Sequence, residues 1–351
     1  MKRILVTGVG GSAGNNFIRS LRLAREKFHI VGTDADKFFI KLSKADENYV
    51  VPTCDSPDYI PILNDIMKKE RVDFLHCQPD TELQVLSEKR ERVKAKMCLP
   101  SKRAIRCAFH KFVCNQTLQK ANVPVPLAFY INSYKDIIHA IEVLESKGHK
   151  IYWVRAIKGA GSRGALPVYS YDEAKMWIDY WHNHKDVKYG QFMISEFLPG
   201  MEFAFQSIWK DGNLICSQAR QRLAYVFGSR MPSGQSSSPT IAKTVSNDKV
   251  NNNSVAGILA IDPKPNGIYC VDLKCNKYNE PCITEINAGR FFTTSIFFTV
   301  AGCNMPYWYI KSGYNEKVIE VPKYNFLPPN LYWIRQMDCG EVMCRGMVLD
   351  A

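Results

Sequence analysis

The chain opens on an apolar, β-branched run, Arg3 to Thr7, then glycines, then Asn15 to Lys27, where apolar positions recur at helical spacing. That pattern predicts a strand, a tight turn and a helix. A second strand is expected over His29 to Thr33, ending at Asp34, a helix over Tyr59 to Glu70, and a third strand over Val72 to Cys77. Strands that alternate with helices form a parallel sheet covered on both faces, which gives an α/β, Rossmann-like domain over residues 1–100.

The pattern changes near Pro100, where SKRAIRCAFHKFVCNQTLQKANVPVP predicts helical segments closed by two prolines, and a domain boundary is placed there. From Ile151 onward strands dominate, interrupted by a helix over Tyr171 to Trp181. The polar stretch Gly228 to Thr240, GSRMPSGQSSSPT, has too few apolar residues to bury itself and is expected to be a mobile loop. The almost wholly apolar Phe291 to Ile310 is expected in the core rather than at a dimer seam, and Val318 to Ala351 as short strands and turns.

At 351 residues, 46% of them hydrophobic, the chain is long enough for two or three structural units. Its first residues do not read as a signal peptide, and no stretch approaches a membrane span. The twelve cysteines show no CxxC pair and no zinc spacing, which points to a reducing cytoplasm. The formal charge of +12 would suit nucleic acid or a membrane surface, but the densest basic run, SEKRERVKAK, reads as a solvated helix face. A positive field that attracts phosphorylated or carboxylate ligands explains the charge equally well, so neither nucleic acid nor membrane is expected as a partner.

Two motifs in the first turn invite other chemistry. Gly8, Gly10 and Ala13, with Asp34 closing the next strand, imitate a dinucleotide fingerprint, yet a glycine-rich first turn serves many doubly wound domains. Gly10 to Gly14 is formally a G-x-S-x-G nucleophile elbow, but too little chain precedes Ser12 to build the oxyanion hole that such an elbow requires. Neither a Walker loop nor an H-E-x-x-H pair occurs.

A more specific constellation lies downstream. GIYCVDLKCN and PCITEINAGR read as two neighbouring strands, and Glu285 and Asn287, two apart, point to the same face, which Asp272 reaches from the adjacent strand. Two carboxylates and an amide oxygen are hard ligands that suit magnesium, with manganese as an alternative; a solvated strand face is the plain alternative. Upstream, WVRAIKGAGSRGALPV predicts strand, glycine loop (Gly159 to Gly164) and strand, with Arg155 and Lys158 supplying positive charge for a triphosphate, or an ordinary hairpin. In FMISEFLPGMEFAF, backbone groups near Phe197 and Leu198 could read an adenine edge and Glu202 could accept from ribose hydroxyls, unless Glu196 and Glu202 are solvent-facing acids on a hairpin.

The order of these pieces, from about Lys2 to Tyr314, resembles the ATP-grasp superfamily, and within it the branch similar to half of the carbamoyl-phosphate synthase large chain. VTGVGGSAGN resembles that branch's pre-ATP-grasp domain, and HKFVCNQTLQKANVPVP its helix bearing a nucleotide-contacting lysine, here Lys111. The resemblance implies a Rossmann-like pre-ATP-grasp domain (1–100) followed by an ATP-grasp fold of two α+β subdomains (101–188 and 189–351). It implies Arg155 on the α/β-phosphates, Gly159 to Gly164 as the phosphate loop (with Gly161, Ser162, Arg163 and Gly164 at the nucleotide), Glu196 to Leu198 at adenine and Glu202 at ribose. Magnesium is implied on Asp272, Glu285 and Asn287, separated by thirteen and then two residues. The chain departs from the family in having Arg155-Ala156 where many relatives have lysine and proline. It also reads Glu285-Ile286-Asn287-Ala288-Gly289-Arg290 where relatives have E-x-N-P-R, so Arg290 comes one residue late.

The implied activity is an ATP-dependent carboxylate–amine (or ammonia) ligase working through an acyl phosphate. Gly228 to Thr240 is expected as its lid, Arg220 and Arg222 at the base of the acceptor site, and Arg290 on the transferring phosphate; two exposed arginines on a strand are the bland alternative for the former pair. A homodimer is left open beside a monomer. The rivals are a nicotinamide-dependent oxidoreductase built on the first turn, and a nonenzymatic nucleotide-binding or RNA-binding module.

Overall fold

The computed structural model describes all residues except 160–163, 237, 338–339 and 346–351, and residues 340–344 by backbone alone. The first domain runs β1 (Lys2–Thr7), α1 (Ser12–Arg22), β2 (Phe28–Asp34), β3 (Glu47–Val50), α2 (Tyr59–Lys69), β4 (Phe74–His76) and α3 (Asp80–Glu88). Its four strands lie in the order β3-β2-β1-β4, all parallel. Ile4 to Thr7 of β1 and all of β4 are buried on both faces, as parallel strands between helices must be. β3 is absent from the sequence-based expectation: ENYV is a short polar strand at the sheet edge, almost wholly exposed, and carries no apolar periodicity.

Two helices follow, α4 (Lys102–Phe109) and α5 (Lys111–Lys120), separated by His110, whose ring accepts from the Val113 amide and caps α5. The next unit comprises β5 (Ala128–Ile131), α6 (Tyr134–Ser146), β6 (Tyr152–Ala156), β7 (Leu166–Val168), α7 (Tyr171–Lys185) and β8 (Phe192–Glu196). Its antiparallel sheet has the order β5-β8-β6-β7, and one face packs against α6 and α7 through Ile137, Ile141, Val154, Ile178 and Phe192.

The remainder is built on β9 (Glu202–Lys210), β10 (Asn213–Tyr225), β11 (Pro239–Val245), α8 (Asp248–Ile261), β12 (Gly267–Cys275), β13 (Pro281–Ala288), α9 (Ile296–Val300), α10 (Met305–Gly313), β14 (Leu331–Gln336) and β15 (Gly340–Arg345). The strands form a seven-stranded antiparallel sheet, β13-β12-β9-β10-β11-β14-β15. The segment beyond Val318 supplies the short strands expected there: β14 pairs with β11, and β15 forms the sheet edge. Phe291, Phe297, Tyr309 and Ile310 are buried with Phe17 and Ile18 of α1 in one core cluster, so the apolar 291–310 stretch joins the first domain to the large sheet. Among the described residues no helix is long and apolar enough to cross a membrane, and the ten described cysteines are free.

Candidate active site

A cavity of about 580 Å³ opens where the three sheets meet. Its walls combine Gln78 to Asp80 at the carboxyl end of β4, Lys111 at the start of α5, β6 and β8, and the facing ends of β10, β12 and β13. Of the residues singled out in the sequence, Lys111, Arg155, Glu196, Phe197, Leu198, Glu202, Arg220, Arg222, Asp272, Glu285, Asn287 and Arg290 all line it. Lys158 does not: it is exposed at the entry to the glycine loop. Gly164 also stays outside, in a left-handed turn with its carbonyl accepting from Trp177 Nε1 at 3.0 Å. Gly161, Ser162 and Arg163 lie outside the described residues.

Asp272 and Glu285 are direct cross-strand partners on β12 and β13, and Asn287 Nδ2 donates to Asp272 Oδ2 at 3.3 Å. Side chains two apart on a strand share a face, so the predicted triplet converges from two adjacent strands onto one wall. Each acid carries a counter-charge. Glu285 lies between Lys111 Nζ (3.4 Å) and Arg155 Nη2 (3.2 Å), and Asp272 is ion-paired with Arg222. Burial would raise the Glu285 carboxyl, but Lys111, Arg155 and Arg290 outweigh it and hold it below the usual range. For Asp272 burial wins over Arg222 and the carboxyl is raised. Three oxygen-bearing side chains on one wall, two of them acids, are the donor chemistry that magnesium takes, so the residues fit the ion that the fold implies.

Arg290 makes a two-pronged ion pair with Asp80 of α3 and donates to Asn287 Oδ1 at 2.6 Å. The late position of this arginine is absorbed by Gly289, whose φ of +100° is open to glycine alone and whose amide donates to the Ile268 carbonyl. Arg220 and Arg222 are not exposed, contrary to the bland alternative: Arg220 is 1% accessible, and the Arg222 side chain, paired with Asp272, is 12% accessible. Burial and the neighbouring Arg222 push Arg220 down to about 9, so it keeps its charge at neutral pH.

At the other end, Glu196 accepts from the Leu127 amide at 3.1 Å and faces His149 Nε2 at 3.1 Å. The Phe197 amide already donates to Ile151, so an adenine edge would be read by its neighbours rather than by this N–H. Glu202 accepts from Lys274, Tyr225 and Gln235, the last of which reaches in from the 226–238 loop. That segment includes a short 3-10 turn at Gly228–Arg230 and contributes Gln235, Ser236 and Ser238 to the cavity rim.

Sequence reasoning missed Asp80, Gln78, Thr293 and Thr294. For the first two a signal existed: Q-P-D follows β4 after a single residue, Cys77, and ligands of open parallel sheets bind at the carboxyl ends of strands. The first turn, by contrast, is closed on itself. Asp34 accepts from the Gly10 and Asp36 amides, and a Cβ at Gly10 would lie 2.8 Å from the Phe39 backbone. Neither the carboxylate nor the space that a dinucleotide would use is open there.

Residues 4–100 match the PylC-like N-terminal domain family. Among curated proteins none matches the chain by sequence. Solved structures do resemble it. N5-carboxyaminoimidazole synthetase from Staphylococcus aureus superposes with a TM-score of 0.69 at 15% identity, covering 95% of this chain and 82% of its own. L-amino acid ligase from Bacillus licheniformis gives 0.69 at 12% identity, with 95% and 79% covered. The biotin carboxylase domain of Hydrogenobacter thermophilus 2-oxoglutarate carboxylase, solved with MgADP, ADP and bicarbonate, gives 0.70 at 13% identity, with 95% and 73% covered. A parallel N-terminal sheet, a small antiparallel sheet and a large antiparallel sheet around one cavity, superposing over 95% of this chain, identify the fold as the ATP-grasp fold, with residues 4–100 similar to the PylC-like N-terminal domain.

Proposed function

We propose that this protein is an ATP-dependent carboxylate–amine ligase that works through an acyl phosphate and releases ADP and phosphate. The observation that carries this reading is the Asp272, Glu285 and Asn287 wall, faced across one cavity by Lys111, Arg155, Arg222 and Arg290. Phosphoryl transfer asks a protein mainly for positioned positive charge and for hard oxygen ligands, and this cavity concentrates both. The ligases and carboxylase that share the fold add support by analogy.

In this reading the adenine lies along Glu196 to Leu198, beside the contacting Trp153 and Phe197 rings, and the ribose at Glu202. Lys111 and Arg155 turn from Glu285 toward the phosphates. Asp272, Glu285 and Asn287 would hold magnesium, which when bound offsets phosphate charge and aligns the γ-phosphate. A carboxylate oxygen attacks the γ-phosphorus, the bond to the β,γ-bridging oxygen breaks, and ADP leaves with that electron pair. An amine then attacks the acyl carbon, phosphate departs, and the amine proton passes to solvent or phosphate. The Gly228 to Thr240 stretch, which runs into β11 at Pro239 and whose Ser237 lies outside the described residues, is the lid that excludes water from the acyl phosphate, and the opening of its Gln235 contact to Glu202 is coupled to nucleotide entry.

Calorimetry tests the first half of this reading. Micromolar, magnesium-dependent ATP binding, with NADH and NADPH silent, is expected; nicotinamide binding without ATP would overturn it. ADP release that requires both a carboxylate and an amine tests the second half.

A further inference from the structure

Five of the six basic side chains that line the cavity are matched by an acid: Lys111 and Arg155 by Glu285, Arg222 by Asp272, Lys274 by Glu202 and Arg290 by Asp80. Arg220 is not. It is almost wholly buried, its Nη1 donates to the hydroxyl of Thr294, and its Nε has no partner among the described residues. The Phe292 and Phe298 rings sit 5.0 and 5.6 Å from its guanidinium carbon and fix its plane without neutralising it. The acid that acts on it through space, Asp272, is already ion-paired with Arg222. A desolvated guanidinium with no ion pair of its own is costly to the fold, and proteins keep one where a ligand supplies the charge.

The surroundings of Arg220 say which ligand. Thr293, next to its hydroxyl partner, is tied by its carbonyl to Asn16 Nδ2 of α1 at 2.7 Å. Ala13, in the first turn of α1, lines the same cavity, and that helix begins at Ser12 with Gly11 as an N-cap that offers no side-chain acceptor, so its partial positive end adds to the field. None of these groups is used by the nucleotide in the reading above, which places them around the second reactant. A single planar guanidinium edge with aromatic flanks matches a carboxylate on an organic acid. A phosphate dianion would ask for a further unmatched cation, and the described lining has none.

We infer that the reactant accompanying ATP is a small organic acid without a phosphate group, amino acids included, and that Arg220 is the residue that receives its carboxylate. The inference rests on the ligase reading and deepens it. It sets this chain with ligases of amino-acid type rather than with enzymes that act on phosphorylated sugars or on bicarbonate alone.

The experiment is ADP release from MgATP with single amino acids and hydroxy acids, bicarbonate and ribose 5-phosphate as probes, on wild type, Arg220→Gln and Arg220→Lys. Organic acids are expected to support release, with KM for the acid raised at least ~30-fold in Arg220→Gln, less in Arg220→Lys, and KM for ATP moved far less. Equal rises in both KM values would assign Arg220 to the nucleotide and overturn the inference. Activation by ribose 5-phosphate or bicarbonate, with every organic acid silent, would overturn it too. Should Arg220→Gln fail to fold, Thr294→Val removes the Nη1 acceptor and is expected to raise KM for the acid alone; a change only in KM for ATP counts against the inference. Thermal protection of wild type by the same acids without nucleotide is the separate arm. Protection there, lost in Arg220→Lys, supports the anchor even if ATP binding fails and the ligase reading falls; no protection alongside normal ATP binding and no acid-dependent release sinks the anchor alone.

Discussion

Asp272 serves two roles that a single substitution confounds. It is a proposed metal ligand, and it is the acid that balances the largely covered Arg222, whose Nε has no partner among the described residues. Asp272→Asn is therefore expected to lower turnover at least ~100-fold and also to cost about 3 kcal/mol of stability, because it strands a buried cation. The pair Asp272→Asn with Arg222→Gln separates the roles: thermal melts should recover most of the stability while ADP release stays lost. Recovery of activity in the double variant would remove Asp272 from the metal site. This acid was legible in the sequence because its relation to Glu285 and Asn287 is local, one strand and its neighbour. Asp80 was not legible as the partner of Arg290, since the two are 210 positions apart and meet only through the packing of the N-terminal domain on the large sheet. Lys158 shows the opposite failure: a basic residue at the entry of a glycine loop has the right sign, but sequence does not tell which side of the loop it takes, and here it faces solvent.

The elements that carry strong periodicity, β1, α2, β4 and α7, match their expected spans to within a few residues. Of those that lack it, β3 was invisible because it is polar and solvated, while β14 and β15 were expected only as unplaced short strands in 318–351, their pairing on β11 being a long-range contact. The turn after β13 belongs to the second kind, because the extra residue before Arg290 looks like a defect until the backbone explains it. Gly289 has φ +100°, and a Cβ there would fall 2.9 Å from Leu83 Cδ2. Gly289→Ala is expected to cost about 1–3 kcal/mol of stability and, by displacing Arg290 from Asp80, to reduce kcat more than it raises KM for ATP. Gly148→Ala is the control, with φ +79° but open space around its Cβ, and should cost only about 1 kcal/mol with kcat unchanged. If the two variants behave alike in turnover, the turn does not position Arg290.

At the scale of the whole molecule, the first domain is welded to the large sheet through an aromatic joint centred on a histidine. His76, at the end of β4, stacks on Phe17 with ring centroids 3.7 Å apart and meets Tyr309 of α10 at 5.5 Å and Phe291 at 6.2 Å. Its Nε2–H donates to Gln78 Oε1 at 3.0 Å, Gln78 in turn donates to the Phe291 carbonyl, and Nδ1 has no partner among the described residues. Burial without a counter-ion pushes the imidazole down to about 4 from 6.5. Between those values the unfolded chain binds a proton that the folded protein refuses, so the stability tied to neutral His76 is complete above about pH 6.5 and is lost as pH falls toward 4. The loss amounts to about 3 kcal/mol. Because the strain falls on the joint, acid should loosen the domains before it melts either sheet: denaturant midpoints measured from pH 7 to pH 4 should drop steeply in wild type. His76→Phe keeps the stacked ring and removes the titration, so it should flatten that dependence while leaving the midpoint at pH 7 within reach of wild type. An equally steep drop in His76→Phe would assign the acid sensitivity to the buried carboxylates of the cavity instead, and would leave the joint indifferent to pH.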